Sequence, residues 1–526
     1  MLNRYLVLFA VSLAMASSFA FADVPSEKSS PKNGYFQLTT DFNFGFNGGP
    51  TEPMFAVDTL EDYGPEDHVN SWKALRIPLE NARSYEDHVE PFFMFALKAG
   101  YKDFHFLIEA PLRKDLEAWY SSDLKTNFTY KPRELDINVP LNAYGIWYNP
   151  VGFVQFGRFN PEDLKVSKND ILIGGLPYHD AIHWKFDVGI FRYDFMLSSL
   201  NAWLYGDIMT ETSCPPEGTE AYRQKCTPWA YQVSNQRRRV YKENVKNLVY
   251  HRIGFDLKKF WFYIVEENVI GGKSLEFRMI NPFMYLHDNY ATGYVSTATS
   301  VELGYRTSFG SKIYGQINME DIASPVGELK DEEHKTARSV INYMVGYFYE
   351  LETRKYGNFS WRIDCVRTDP ASNNSRLPLL KYTGRRNYRS NFRDQHDDDY
   401  ADSFFVDYPI GYRRGGDALD LWFDMTWKWG AHSTVLTLGW LRQGDKEMYS
   451  DYEAASNADH TLSGVVEKQF LVDVLYNRQV NGWFKFYVGG GFRVYRNLAH
   501  DRNEDGSSAW IRSGIKFNWT PVDLKF

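Results

Sequence analysis

The chain closes on SAWIRSGIKFNWTPVDLKF, residues 508–526. Ile511, Ile515, Phe517 and Trp519 fall on one side of this run, and Arg512, Gly514, Lys516 and Asn518 fall on the other. Successive side chains of a strand point to opposite faces, so the run reads as one amphipathic strand with a greasy stripe and a polar stripe. Its final residue is an aromatic, Phe526.

The other end of the chain carries a complementary signal. Met1 to Arg4 is a short basic head, Tyr5 to Phe19 is apolar, and Ala20-Phe21-Ala22 is a small-x-small site before Asp23. This is the three-part layout of a secretory signal peptide, and its apolar part is short for a spanning helix. Residues 1–22 are therefore expected to be cleaved, 23–33 to form a periplasmic lead, and 34–526 to form one folded unit. An export signal followed by a terminal amphipathic strand resembles a bacterial outer-membrane β-barrel. On that resemblance Phe526 is the targeting residue read by the barrel-assembly machinery. The implied location is the outer membrane of a diderm bacterium, with lipid and lipopolysaccharide as neighbours.

Composition fits this reading. No stretch after residue 22 approaches 18 apolar residues, so no membrane helix is expected. Aromatics make up 17% of the chain while mean hydropathy is −0.46. A barrel needs lipid-facing and interfacial aromatics outside and polar residues in its lumen and loops. The net charge of −8 leaves no nucleic-acid footprint.

Period-two segments recur along the whole chain, at 34–46, 91–100, 103–112, 139–149, 151–160, 181–188, 190–199, 248–257, 259–268, 295–307, 310–319, 338–351, 356–367, 417–429, 433–443, 465–478, 482–495 and 508–520. Phe191, Tyr193, Phe195 and Leu197 form one apolar stripe; Leu419, Leu421, Phe423, Met425 and Trp427 form another. Short and long connections alternate between the segments. The expectation is an all-β, transmembrane antiparallel barrel of 16–18 strands, with short periplasmic turns and long extracellular loops. SWKALRIPLENARSYEDHVE, within 71–90, reads as a short helix.

The polar stripes supply lumen charges of both signs: Lys185, Arg192, Asp194, Arg252, Arg362, Asp364, Asp420, Asp424 and Lys428. In a filled lumen such groups pair and stiffen the wall; in an open pore they set ion preference. Two loop stretches are basic. One holds Arg237, Arg238 and Arg239, and the other holds Arg385, Arg386, Tyr388 and Arg389. Arginines interleaved with aromatics suit an acidic polysaccharide, through charge-assisted hydrogen bonds and ring stacking, and suit lipopolysaccharide phosphates equally. Cys214 and Cys226 stand in one polar loop with eleven residues between them, where an oxidising compartment permits a disulfide. Cys365, beside Trp361 and Ile363, reads as a buried hydrophobic thiol. DRNEDGSS at 501–508 begins like a calcium loop, but Arg512 stands where the closing carboxylate belongs, so it reads as a turn. No catalytic motif, metal-ligand motif or cofactor fingerprint stands out.

GRFNPEDLKVSKNDILIGGLPYHDAIHWKF (157–186) and INPFMYLHDNYATGYVSTATSVELGYRTSFGSKIYGQINMEDI (280–322) resemble the Wzi-like capsule-assembly family of outer-membrane barrels. The resemblance implies an 18-stranded barrel with occluded ends and a non-enzymatic role in holding surface polysaccharide. A general porin for small solutes is the alternative, and a barrel hydrolase a remote one.

Overall fold

The computed structural model describes residues 34–48, 58–59, 74–76, 78–121, 126–136, 141–201, 231–233, 237–239, 245–271, 281–282, 295–321, 340–375, 380–389, 403–446 and 461–525, with 448, 450, 452, 455 and 458. Eighteen strands make the wall. They are β1 (Tyr35–Gly48), β2 (Phe93–Tyr101), β3 (Phe104–Leu112), β4 (Asn142–Asn149), β5 (Gly152–Phe159), β6 (His179–Val188), β7 (Phe191–Leu200), β8 (Lys246–Asp256), β9 (Phe260–Gly271), β10 (Val295–Arg306), β11 (Ser311–Asp321), β12 (Val340–Thr353), β13 (Gly357–Arg367), β14 (Leu419–Trp429), β15 (His432–Gln443), β16 (Glu467–Gln479), β17 (Phe484–Arg496) and β18 (Gly506–Lys525).

Each strand pairs antiparallel with the next, and the ends meet. β1 runs from Tyr35↔Lys525 to Gly48↔Ile511 against β18, and from Tyr35↔Gly100 to Phe42↔Phe93 against β2. Closure leaves no open sheet edge, as a sheet in hydrocarbon requires, because lipid offers backbone groups no partner. Tight turns such as 149–152, 188–191 and 429–432 share one end with both chain ends of the wall. The long connections share the other. That asymmetry makes the turn end periplasmic and the loop end external.

The alternation seen in the sequence sorts the wall cleanly. Phe42, Phe44, Ile264, Val345, Leu421 and Ile515 are exposed on the outside, where lipid lies. Trp147, Trp427, Trp429, Trp483 and Trp519 are exposed near the turn end, and Trp427 and Trp429 stack with ring centroids 6.1 Å apart. Amphipathic rings at this level form the interfacial girdle of a membrane barrel. Cys365 is exposed on this outer face rather than buried. A strand offers an apolar environment on its lipid side too, and the sequence pattern does not separate the two. Among the described residues no helix is long and apolar enough to cross a membrane; the strands do the crossing.

Among the described residues, two α-helices and two small sheets are not part of the wall. α1 is Leu79–His88 and α2 is Leu116–Ser121. An antiparallel hairpin pairs Thr383–Arg389 with Ser403–Pro409, and Ala74–Arg76 runs parallel to its second strand. The sequence reading had no strands here. The stretch 501–505 is a turn, with the Glu504 N–H donating to the Asp501 carbonyl.

Candidate functional site

α1 begins after Pro78, an extended N-cap residue whose fixed φ is compatible with the helix that follows. Leu79, Ala82 and Tyr85 form one buried side of it. They join a single apolar core inside the barrel. That core also takes Leu164, Leu172 and Ile173 from the segment 160–176, and Tyr388, Val406 and Tyr408 from the hairpin. Leu107, Met196, Leu248, Tyr250 and Met344 enter it from the wall. Where these segments meet the wall, the lumen is thus packed like a protein interior.

Charged pairs tie these segments together. Glu86 Oε1 accepts from Arg386 at 2.9 Å, from Tyr408 at 2.9 Å and from Tyr388 at 3.2 Å. The other Arg386 nitrogen reaches Asp136 at 3.1 Å, and the guanidinium lies over the Tyr388 ring at 4.5 Å. Burial works against the Arg386 charge, but Tyr388, Asp136 and Glu86 around it outweigh burial and hold it protonated. Burial pushes the Tyr388 and Tyr408 phenols far up, so both remain donors. Arg413 donates to Asp87 at 2.7 Å; Arg414 lies 3.2 Å from Glu80 and 3.1 Å from Asp420. The segment 160–176 is pinned by Lys168 to Asp424 at 2.6 Å and by Asn169 to Asp364 at 2.9 Å.

These contacts locate the residues singled out from the sequence. Asp364, Asp420 and Asp424 anchor the inward segments to the wall. Arg252 bridges Asp194 at 3.1 Å and Glu302 at 2.8 Å. Lys185 donates to Asp163, Arg192 lies 3.4 Å from Asp187, and Arg362 lies over the Phe348 ring at 5.3 Å. Lys428 is exposed near the turn end of β14.

The basic cluster differs from its sequence reading. Arg386 and Tyr388 are 3% and 2% exposed, inside the lumen and committed to Glu86 and Asp136, so they do not present an open surface to a glycan. Their partners stand 250–302 residues away in sequence, beyond the reach of any local pattern. Arg385 is held by Asp407 through two bonds of 2.8 and 2.9 Å, at the hairpin's edge. Arg389 stands at the end of the first hairpin strand, and Arg237, Arg238 and Arg239 form a short strand paired with Tyr231–Val233. Cys214, Cys226 and Phe526 lie outside the described residues.

A small cleft of about 60 Å³ opens where the hairpin docks on the external ends of β6 and β7. Tyr178, Asp180, Ser199, Asn201 and Arg385 line it. The Asn201 side chain donates to the Arg385 carbonyl at 2.9 Å, and the Arg385 N–H donates back to the Asn201 carbonyl. Arg158 grips Asp180 through two bonds of 2.8 Å and stacks on the Tyr178 ring at 4.2 Å. Residues 20 and 22 apart in sequence thus meet at the rim as a ring, a guanidinium and a carboxylate. The 157–186 stretch held all three, but not the hairpin that completes their cleft.

A closed 18-stranded wall with an apolar exterior and a packed lumen is an outer-membrane β-barrel. No protein-family model and no curated protein matches the chain. Among solved structures it is similar to Wzi of Escherichia coli, described as an outer-membrane, carbohydrate-binding β-barrel involved in group 1 capsule assembly. Identity there is 9%, with TM-score 0.43, over 93% of this chain and 84% of that one. It is also similar to the outer-membrane protein OpdK of Pseudomonas aeruginosa, at 9% identity and TM-score 0.37, over 93% and 99% of the two chains. OmpT, an outer-membrane protein of Vibrio cholerae, matches at 8% identity and TM-score 0.32, over 92% and 98%.

Proposed function

We propose that this protein is a non-enzymatic outer-membrane barrel that holds surface polysaccharide at its external rim. The observation that carries this reading is the packed lumen. α1, the segment 160–176 and the hairpin share one buried core with the wall, cross-tied through Glu86, Arg386 and Asp136. A diffusion pore requires a hydrated path, and pairing of the lumen charges with inward segments opposes one. The rim cleft supplies sugar-compatible chemistry: the Tyr178 ring for stacking, and Asp180, Ser199 and Asn201 for hydroxyls, with Arg158 bonded to Asp180 beside it. Loss of the gene is expected to release polysaccharide from cells into the medium while total polysaccharide stays constant. Unchanged cell-attached polysaccharide overturns the reading, and so does a steady open-channel current through the purified protein in a planar bilayer. Tyr178→Ala together with Asn201→Ala should release polysaccharide partially, with the protein still inserted.

A further inference from the structure

His183 packs against the core through the rings of Phe153 and Phe159, at 5.1 and 6.4 Å between centroids, yet its polar edge faces away from it. Its ring is fully buried on the inner side of β6. Its Nε2 lies 3.2 Å from Asp194 Oδ1 on β7. The other Asp194 oxygen accepts from Arg252, which in turn spans to Glu302. A carboxylate bonded in this way accepts, so Nε2 donates, and in the neutral ring Nδ1 then carries the lone pair. That Nδ1 is buried and has no hydrogen-bond partner. It faces Asp163 Oδ1 at 3.9 Å, while Asp163 Oδ2 accepts from Lys185 at 3.1 Å.

Two acceptors facing each other without a proton between them repel, and leaving a buried nitrogen unpaired is costly. A cation between them removes both problems. Ligand atoms about 2.1 Å from a tetrahedral ion lie roughly 3.4 Å apart, so an approach of about half an ångström closes the site. Asp163 can make it, because it stands on the short turn Glu162–Leu164 and its side chain is 37% exposed. The remaining partners match what metal sites use behind their ligands: a carboxylate holds the far nitrogen of the imidazole, and an ammonium holds the far oxygen of the ligating carboxylate. The charges facing the site leave it net negative, as a cation requires. Asp163, Asp194 and Glu302 outnumber Lys185 and Arg252, while Asp187 and Arg192 pair with each other at 3.4 Å.

We propose that His183 and Asp163 bind one divalent cation of the zinc type, with Asp194 orienting the imidazole from behind. One imidazole and one carboxylate favour zinc over calcium or magnesium, and water completes the coordination on the open side of Asp163. The ion joins the first turn of the inward segment 160–176 to the wall. This inference does not depend on the polysaccharide reading.

Full-length protein in detergent, stripped with EDTA and desalted, is titrated with zinc chloride by calorimetry. One equivalent is expected to bind, and Asp163→Asn and His183→Gln should each weaken it at least tenfold. Copper(II) loaded in its place should give an electron paramagnetic resonance spectrum with coupling to one nitrogen, lost in His183→Gln. Heat-modifiable gel mobility reports whether each variant is a folded barrel. Should His183→Gln fail to fold, Asp163→Asn alone decides, since it alters a partly exposed turn. Absence of saturable zinc binding overturns the proposal. So does zinc binding of undiminished affinity in Asp163→Asn, which would place the metal elsewhere.

Discussion

At the scale of single residues, an arginine means opposite things among the lumen contents and on the outer face of the wall. Arg386 is buried, and its cost of burial is offset by Tyr388, Asp136 and Glu86 around it. Arg386→Ala removes the nearest cation from Glu86 and Asp136, leaving them the longer pairs to Arg83 at 3.6 Å and Arg113 at 3.9 Å, and should destabilise the protein by up to about 3–5 kcal/mol, read as a lowered urea midpoint. Arg386→Lys should recover only part of this, because an ammonium cannot bridge two carboxylates with the guanidinium's fork. On the outer face the rule reverses. Val345 is 61% exposed in the middle of β12, and exposure there means contact with lipid. Val345→Arg should cost about 2–4 kcal/mol in a bilayer-based unfolding assay. A neutral result would show that this face does not meet hydrocarbon. The lone glycine worth naming is Gly304, paired with Trp261 across β9 and β10. A Cβ there would lie 2.0 Å from the Trp261 ring, so the position admits no side chain while that tryptophan donates to Glu302.

At the scale of elements, α1 and the segment after it are held by carboxylates whose acidity is shifted. Burial alone would raise Asp87, but Arg413 and His88 outweigh it and hold the carboxyl below the usual carboxylate range; Lys516 does the same for Glu90. A carboxyl whose folded value is depressed contributes stability that is present above its unfolded value, near 4, and is lost as pH falls through the folded value. The inward helix is therefore expected to loosen below about pH 4 while the wall persists. A tryptophan-quenching or limited-proteolysis signal at pH 3, with heat-modifiable mobility retained, would register this. Unchanged protection from pH 7 to pH 3 would contradict it. The wall strands were legible because lipid outside and polar groups inside impose a period of two, and each of the 18 segments read from that period lies on a wall strand. The helix at 79–88 left its own trace in SWKALRIPLENARSYEDHVE. The hairpin was not legible. TGRRNYR at 383–389 lies in a mixed polar and apolar lumen, so neither of its faces carries a continuous apolar stripe, and its chief partner Glu86 is about 300 residues away. His183 and Asp163 were silent for a related reason: a spacing of 20 residues matches no ligand motif, and only the packing of the 160–176 segment against β6 makes them neighbours.

At the scale of the whole molecule, the wall and its contents have separable roles. The wall closes through β1 and β18 and needs nothing from the lumen to satisfy its backbone. The contents form an apolar core and an ion-pair network of their own. A barrel of 18 strands is wide enough to leave an aqueous channel when its interior is not filled. The intact protein is therefore expected to show no steady current in a planar bilayer. Replacing residues 383–409 with a short Gly-Ser linker should introduce one, because it removes Arg386, Tyr388 and Tyr408 and leaves Glu86 and Asp136 to draw in water. The deletion protein should still migrate as a heat-modifiable barrel, which separates an opened lumen from a failed fold. Polysaccharide retention in cells carrying it tests the rim directly, since Arg385 and the cleft beside Asn201 go with the hairpin. Current gained together with polysaccharide lost is the expected pair. Current gained with retention intact would move the binding surface away from this cleft. No current from a folded deletion protein would mean that α1 and the segment 160–176 seal the lumen without the hairpin.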